Sequence, residues 1–195
     1  MTTPNYLQVE TALKRATAFA SSNPELTSTS HYLGLLEEMQ ARFAAATAET
    51  DSVYAGWRLR RGDRMRAFRD MRLEYDRVVE LADEHAYDDV PRKKIVYTEE
   101  DSLLELIDAT CAWLSSKGDE WAWTADKEAS LKAQKATAMN LREDCDARFQ
   151  NYTVVVKYRV AAYADAVALL REYHREAARD ARGSEAVDGF SLEVR

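Results

Sequence analysis

The residue types with the most chemical reach are gathered between Trp57 and Arg72, in WRLRRGDRMRAFRDMR. Seven arginines against two aspartates give this stretch a charge of +5, inside a chain whose net charge is −7. A guanidinium offers a planar fork of donors that grips carboxylates and phosphates in paired fashion. Trp57, Arg58, Arg60, Arg61, Arg64, Arg66, Arg69 and Arg72 therefore form a candidate interaction patch. Three occupants fit that chemistry: an acidic stretch of the same fold or of another subunit, an acidic protein partner, or a nucleic acid. Glu143, Asp144 and Asp146 supply an internal acidic stretch, and antiparallel helices meeting at their middles would bring the two together. The acidic net charge opposes nucleic acid, which calls for a basic domain.

Other reactive residues point to packing. Cys111 and Cys145 both fall on apolar stripes and read as buried free thiols, because cysteine packs as a small hydrophobe, with a disulfide between them as the alternative. His85 and His174 sit near helix C-termini, where imidazole suits the helix dipole, and His31 falls at a helix start. No glutamate stands three residues before any histidine, so the Glu-x-x-His pattern of di-iron bundles is missing. No glycine-rich phosphate loop, zinc-spaced cysteine pair or nucleophile–base arrangement is present. No cofactor, metal or catalytic residue is assigned. Trp113, Trp121 and Trp123 read as a plug at one end of a bundle before the lining of a ligand pocket, and Tyr152, Tyr158, Tyr163 and Tyr173 fit a protein-contact surface and the edge of one helix equally well. Phe190, Leu192 and Val194, in a loose tail, form a candidate docking segment for a partner's groove.

The elements that must position these residues are helices. Hydrophobic residues at 46% and charged residues at 31% fold rather than stay disordered, and six glycines and three prolines are too few for a turn-rich β fold. No run of about 18 apolar residues exists, so no membrane insertion is expected. No secretory leader pattern opens the chain, because Glu10, Lys14 and Arg15 interrupt it, and a cytoplasmic address follows.

The longest signal runs through Ala138, Leu141, Cys145, Phe149, Tyr152, Val156, Val160, Tyr163, Val167, Leu170, His174 and Ala177. Every step is three or four residues, the spacing that keeps side chains on one helix face. A second ribbon runs Tyr32, Leu36, Met39, Phe43, Ala46, Thr50, Val53 and Trp57. It resumes in phase at Phe68, Met71, Tyr75, Val78, Ala82 and His85. Phase kept across Gly62 favours one continuous helix over a hairpin there. Thr3-Pro4 opens a first helix, with a stripe at Tyr6, Val9, Leu13, Ala16 and Ala20; Thr27 to Ser30 reads as a loop ending in a cap. Lys93 to Tyr97 reads as an extended segment, either a short edge strand or a strap lying on the bundle. Thr98 caps a third helix carrying Leu104, Ile107, Cys111 and Leu114, which Gly118 stops. A fourth helix begins between Asp119 and Thr124 and runs to about Arg182.

The resulting fold is all-α: a long-helix bundle with coiled-coil character, built as two tandem hairpins of one short and one long helix. They span 1–87 and 98–182, joined by a connector at 88–97 and followed by a flexible tail at 183–195. An internal repeat is visible in Ala18-Phe19-Ala20-Ser21-Ser22 against Ala112-Trp113-Leu114-Ser115-Ser116, and in Tyr75 to His85 against Tyr163 to His174. Short helices cannot cover such long stripes, so a homo-oligomer is expected. The leading function is a non-enzymatic structural or assembly protein. An adaptor using the arginine patch or the tail comes second, and a ligand- or metal-binding bundle third.

Overall fold

In a computed structural model the described residues are 5–94, 99–118, 121–181, 185–188, 190 and 192. Among them every regular element is helical: α1 (Tyr6–Ser22), α2 (Thr27–Glu84), α3 (Glu100–Lys117), α4 (Thr124–Asp180) and the single turn α5 (Glu185–Asp188). The protein is all-α.

The helix starts differ from the sequence expectation in instructive ways. The cap of α1 is Asn5: its side chain accepts the Gln8 N–H at 2.9 Å, and the Gln8 side chain accepts the Asn5 N–H at 2.7 Å. This reciprocal box satisfies two donors that a helix start leaves orphaned. Thr3 and Pro4, the expected opening, lie outside the described residues. Helix α2 starts at Thr27, so the Thr27–Ser30 cluster is helical rather than a loop. The reason is remote in sequence: Asp180, the last residue of α4, accepts the Ser28 N–H at 2.6 Å. A carboxylate there also meets the positive end of the helix dipole. The hydrogen bond from the Ser28 N–H is the main reason the Asp180 carboxyl is held below its usual range.

Helix α2 continues through Gly62 without a break, and a Cβ at Gly62 would meet nothing within 4 Å. One glycine costs about 1 kcal/mol relative to alanine, too little to interrupt 58 residues of packed helix. The helix ends on Ala86 at φ +61°, with the Tyr87 N–H donating to Ala82 and the Ala86 N–H to Asp83. This is the left-handed closure that usually takes glycine. Glu99 caps α3 without a side-chain bond, and Thr98 lies outside the described residues. Gly118, at φ +53°, ends α3 as expected. In the connector, Val90 is buried and Tyr75 donates its hydroxyl to the Pro91 carbonyl at 2.9 Å. Lys93 and Lys94 adopt no regular element, and Ile95 to Tyr97 lie outside the described residues.

The chain divides into two compact units, and they do not follow the hairpin boundaries at 88–97. Unit one is Met1–Ala55 with Gln150–Arg195; unit two is Gly56–Phe149. Each unit combines one short helix with a part of each long helix, because a helix of 17 or 18 residues can cover only an equal length of its neighbours. In unit one, Val9, Ala12, Leu13, Ala16 and Ala20 of α1 join Tyr32, Leu36 and Phe43 of α2 and Ala162, Ala166, Leu170, Tyr173 and Ala177 of α4. In unit two, Leu103, Leu106, Ile107 and Leu114 of α3 join Phe68, Met71, Tyr75, Val78 and Ala82 of α2 and Leu131 and Ala138 of α4.

The burial pattern repeats along the chain. Val9, Ala12, Leu13, Ala16 and Ala20 recur 94 positions later as the buried Leu103, Leu106, Ile107, Thr110 and Leu114. Leu36, Phe43, Thr50, Met71, Tyr75, Val78 and Ala82 recur 95 positions later as Leu131, Ala138, Cys145, Ala166, Leu170, Tyr173 and Ala177. This register matches Tyr75 to Leu170, so the expected pairing of Tyr75 with Tyr163 is out of step.

On α2 the expected stripe is the buried face, from Tyr32 to Ala82. On α4 it is only partly so. In the second half of α4 the buried face is Val155, Ala162, Ala166, Leu170, Tyr173 and Ala177, rotated from Val156, Val160, Tyr163 and Val167. Alanine carries little weight in a periodicity, yet it lets helices approach closely and so claims the interior.

Candidate interaction surface

The arginine-rich segment lies on α2 in unit two, and its members divide by partner. Arg64 donates Nε to Glu100 Oε1 at 2.9 Å and Nη1 to Asp146 Oδ1 at 2.8 Å, with Arg64 and Glu100 each about a quarter exposed or less. Glu100 opens α3, where a carboxylate is favoured by the helix dipole. Arg142 of α4 donates to Asp101 of α3 at 2.5 Å. Three helices are thus tied at one level by paired charges. The hydrogen bond to Glu100 is the main reason the Arg64 guanidinium holds its proton even more firmly than usual, with Cys145 and Asp146 adding to it. Arg60 reaches Asp144 at 3.1 Å and Asp63 at 3.3 Å. The internal acidic stretch therefore meets the patch through Asp144 and Asp146, while Glu143 stays exposed without joining these pairs.

Of the remaining patch residues, Arg58, Arg61, Arg66 and Arg69 are exposed, while Trp57 is half-buried. Arg66 pairs with Asp63, and Arg69 lies 3.4 Å from its neighbour Asp70. Arg61 stands 5.8 Å over the Trp57 ring, and Trp57 lies 5.3 Å from Phe149 of α4. Arg58 is exposed and Arg72 half-buried. An open cleft of about 570 Å³, walled by Asp63, Ala67, Asp70, Gln134 and Leu141, runs beside this segment with charges of both signs.

At the end of unit two the tryptophans do close the bundle. Trp113 is buried; His85 lies 4.1 Å from Trp121 and 5.9 Å from Trp123; Tyr87 meets Trp113 and Trp121 edge-on. Lys117 sets its ammonium 4.6 Å from the Tyr87 ring and 2.8 Å from Asp89. In unit one, His174 lies against Phe190 and 4.0 Å from Asp188. Both cysteines are free and buried, and burial pushes the Cys111 thiol up. Tyr173 is fully buried, Tyr163 packs 5.1 Å from Tyr6, Tyr152 packs 5.3 Å from Tyr54, and Tyr158 stands in solvent. Among the described residues no group of three or more His, Cys, Asp or Glu is arranged to hold a metal ion, and no helix is long and apolar enough to cross a membrane.

The tail is corrected by the fold. Phe190 is buried, stacked 5.3 Å from Tyr173 and 5.5 Å from Phe19, and Leu192 packs against the same core. These two side chains complete the molecule's own interior, because α1 presents small residues that leave room for them. Phe190 is therefore core rather than a free docking side chain, Leu192 is partly buried against it, and Val194 lies outside the described residues.

A buried carboxylate and a half-buried guanidinium were missed in the sequence. Glu74 is 4% exposed and accepts from Lys127 at 2.8 Å and Arg77 at 2.9 Å. Arg159 sits between Val155 and Ala162 with its guanidinium 4.6 Å from the Tyr6 ring. A glutamate beside Tyr75 reads as an outward residue, and only the Arg77 three positions on hints at a paired one. Comparison with family models, with curated proteins and with solved structures returned no match.

Proposed function

We propose that this chain is a non-enzymatic assembly protein that associates with copies of itself through its long helices. The observation that supports this is apolar side chain left in solvent on α4: Val154 and Tyr158, one turn apart on one face of unit one, are 45% and 65% exposed, and Phe149 and Val160, on other parts of the helix, are 46% and 50% exposed. Phe149 and Val160 belong to the ribbon read from the sequence. Covering a side chain of this size is worth about 1.5–3 kcal/mol, so a neighbour that seats them gains several kcal/mol. Sedimentation and light scattering over a wide concentration range test the reading. The expected result is a mass that climbs with concentration above the 22.2 kDa of one chain. A constant 22.2 kDa would overturn it.

A further inference from the structure

We propose that one flank of α2 in unit two is a docking face for an acidic helix of another protein. Arg58, Arg61, Met65, Arg69 and Arg72 follow one another at steps of three, four, four and three residues. At about 100° per residue these five side chains leave the helix within about 80° of arc. At 1.5 Å per residue they form a line roughly 21 Å long. Arg58, Arg61, Met65 and Arg69 are exposed and Arg72 is half-buried; Met65, at the centre, is 63% exposed.

The acids of this segment lie elsewhere. Asp63 and Asp70 are on the far side of α2, where they wall the cleft that Gln134 and Leu141 border from α4. On that side Asp63 holds Arg60 and Arg66, and Asp144 joins Arg60 to Arg148, which lies against Gly56. Glu100 and Asp146, brought to α2 at this level by α3 and α4, are drawn to Arg64. Neither Arg58 nor Arg61 pairs with an acid among the described residues. Arg69 lies 3.4 Å from Asp70 yet keeps 56% of its side chain in solvent. On α2 the line stays cationic until Asp76, one turn past Arg72.

The shape of this charge selects its occupant. Each guanidinium fork takes a carboxylate in paired fashion. Steps of three and four residues are those of a helix face, so a helix lying alongside with glutamate or aspartate at the same steps meets each arginine in turn. Met65 gives the centre an adaptable apolar contact for one apolar residue of that helix. A nucleic acid or an anionic membrane carries charge over a broader front. It would meet the flanking acids of a chain whose net charge is −7 and be repelled there.

The test uses the full chain and a labelled peptide of about 18 residues, long enough to be helical on an alanine background. The peptide carries four glutamates around a central leucine at the spacing of the arginine line. A control peptide of the same composition spreads its glutamates around the helix. Binding is followed by fluorescence anisotropy at about 0.15 M salt. Chain concentrations stay below those at which its mass rises, so failure of self-association is read separately. The spaced peptide is expected to bind about tenfold more tightly than the control. Arg61→Glu with Arg69→Glu is expected to weaken it on the order of a hundredfold. Arg66→Glu with Arg148→Glu makes the same change of charge on the cleft side and is expected to leave binding nearly unchanged. All four positions are exposed, and circular dichroism checks that both variants are folded. Met65→Ala is expected to cost a few-fold. Equal losses in the two double variants, or equal binding of the two peptides, would reduce the face to general attraction and overturn the proposal. Tighter binding of a single-stranded oligonucleotide or of phosphatidylserine vesicles would overturn it in favour of phosphate. A lowered self-association in the Arg61 and Arg69 variant alone would overturn it in favour of a second copy.

Discussion

The two short helices bury the same register with opposite contents. At five matched positions α1 buries Val9, Ala12, Leu13, Ala16 and Ala20, while α3 buries Leu103, Leu106, Ile107, Thr110 and Leu114. Part of the volume missing on α1 returns in Phe43, which stands where Ala138 stands in the other unit, and in Tyr173, where Val78 stands, although Ala166 and Leu170 stand where the larger Met71 and Tyr75 do. Phe190 fills what is left. Unit two, whose short helix is bulkier, adds charge to hold it: Arg64 to Glu100, Arg142 to Asp101 and Lys135 to Asp108. A helical register thus constrains which positions are inside much more than it constrains what fills them, provided total volume is conserved.

Exchanging the contents at one matched position attacks this comparison most directly. Leu114→Ala removes a fully buried side chain from unit two and is expected to cost about 2–5 kcal/mol in urea unfolding. The reciprocal Ala20→Leu forces bulk into a site already filled by its neighbours and is expected to cost about 1–3 kcal/mol. If Ala20→Leu were neutral, unit one would contain slack and the volume argument would fail.

The charge side of the comparison turns on Glu74. Its hydrogen bond to Lys127, with a further one to Arg77, holds the carboxyl below its ordinary 4.5 despite burial. A carboxyl whose folded value is depressed stabilises the fold at neutral pH, and that contribution is lost as pH falls from about 4.5 through the folded value. Glu74→Gln is expected to cost about 1–3 kcal/mol at pH 7, through the weakened partners. Urea midpoints of wild type and variant are expected to converge as pH drops below 4.5. A gap that stays constant with pH would show that the charge of Glu74 is not what matters.

The smallest contrast lies at the two caps. Asn5→Ala removes a reciprocal capping box and is expected to cost about 1 kcal/mol. Glu99→Ala removes a cap that makes no side-chain bond and should leave the thermal midpoint nearly unchanged. Equal losses at both would mean that α3 draws on its cap after all.

Much of this frame was legible in the chain. Large apolar residues at helical spacing located the buried face of α2, and phase kept across Gly62 marked a continuous helix. The same reasoning misplaced the face of α4, because Ala162 and Ala166 look neutral in sequence while Val156 and Val160 look like core. The meeting of Arg60 with Asp144 and Arg64 with Asp146 followed from antiparallel middles. What stayed hidden depends on residues far apart in sequence: Asp180 capping α2, Glu74 held by Lys127, and Phe190 folding back onto Tyr173. No local pattern encodes a partner that arrives 53 or 152 positions later.

The make-up of the two units has a consequence for how the molecule comes into being. Unit two is drawn from one uninterrupted stretch, Gly56–Phe149, so everything it needs is present once that stretch has left the ribosome. Unit one needs Gln150–Arg195 to cover α1 and its part of α2. The alanine face of α1 therefore has no cover from α4 until residues made more than a hundred positions later have been added to the chain.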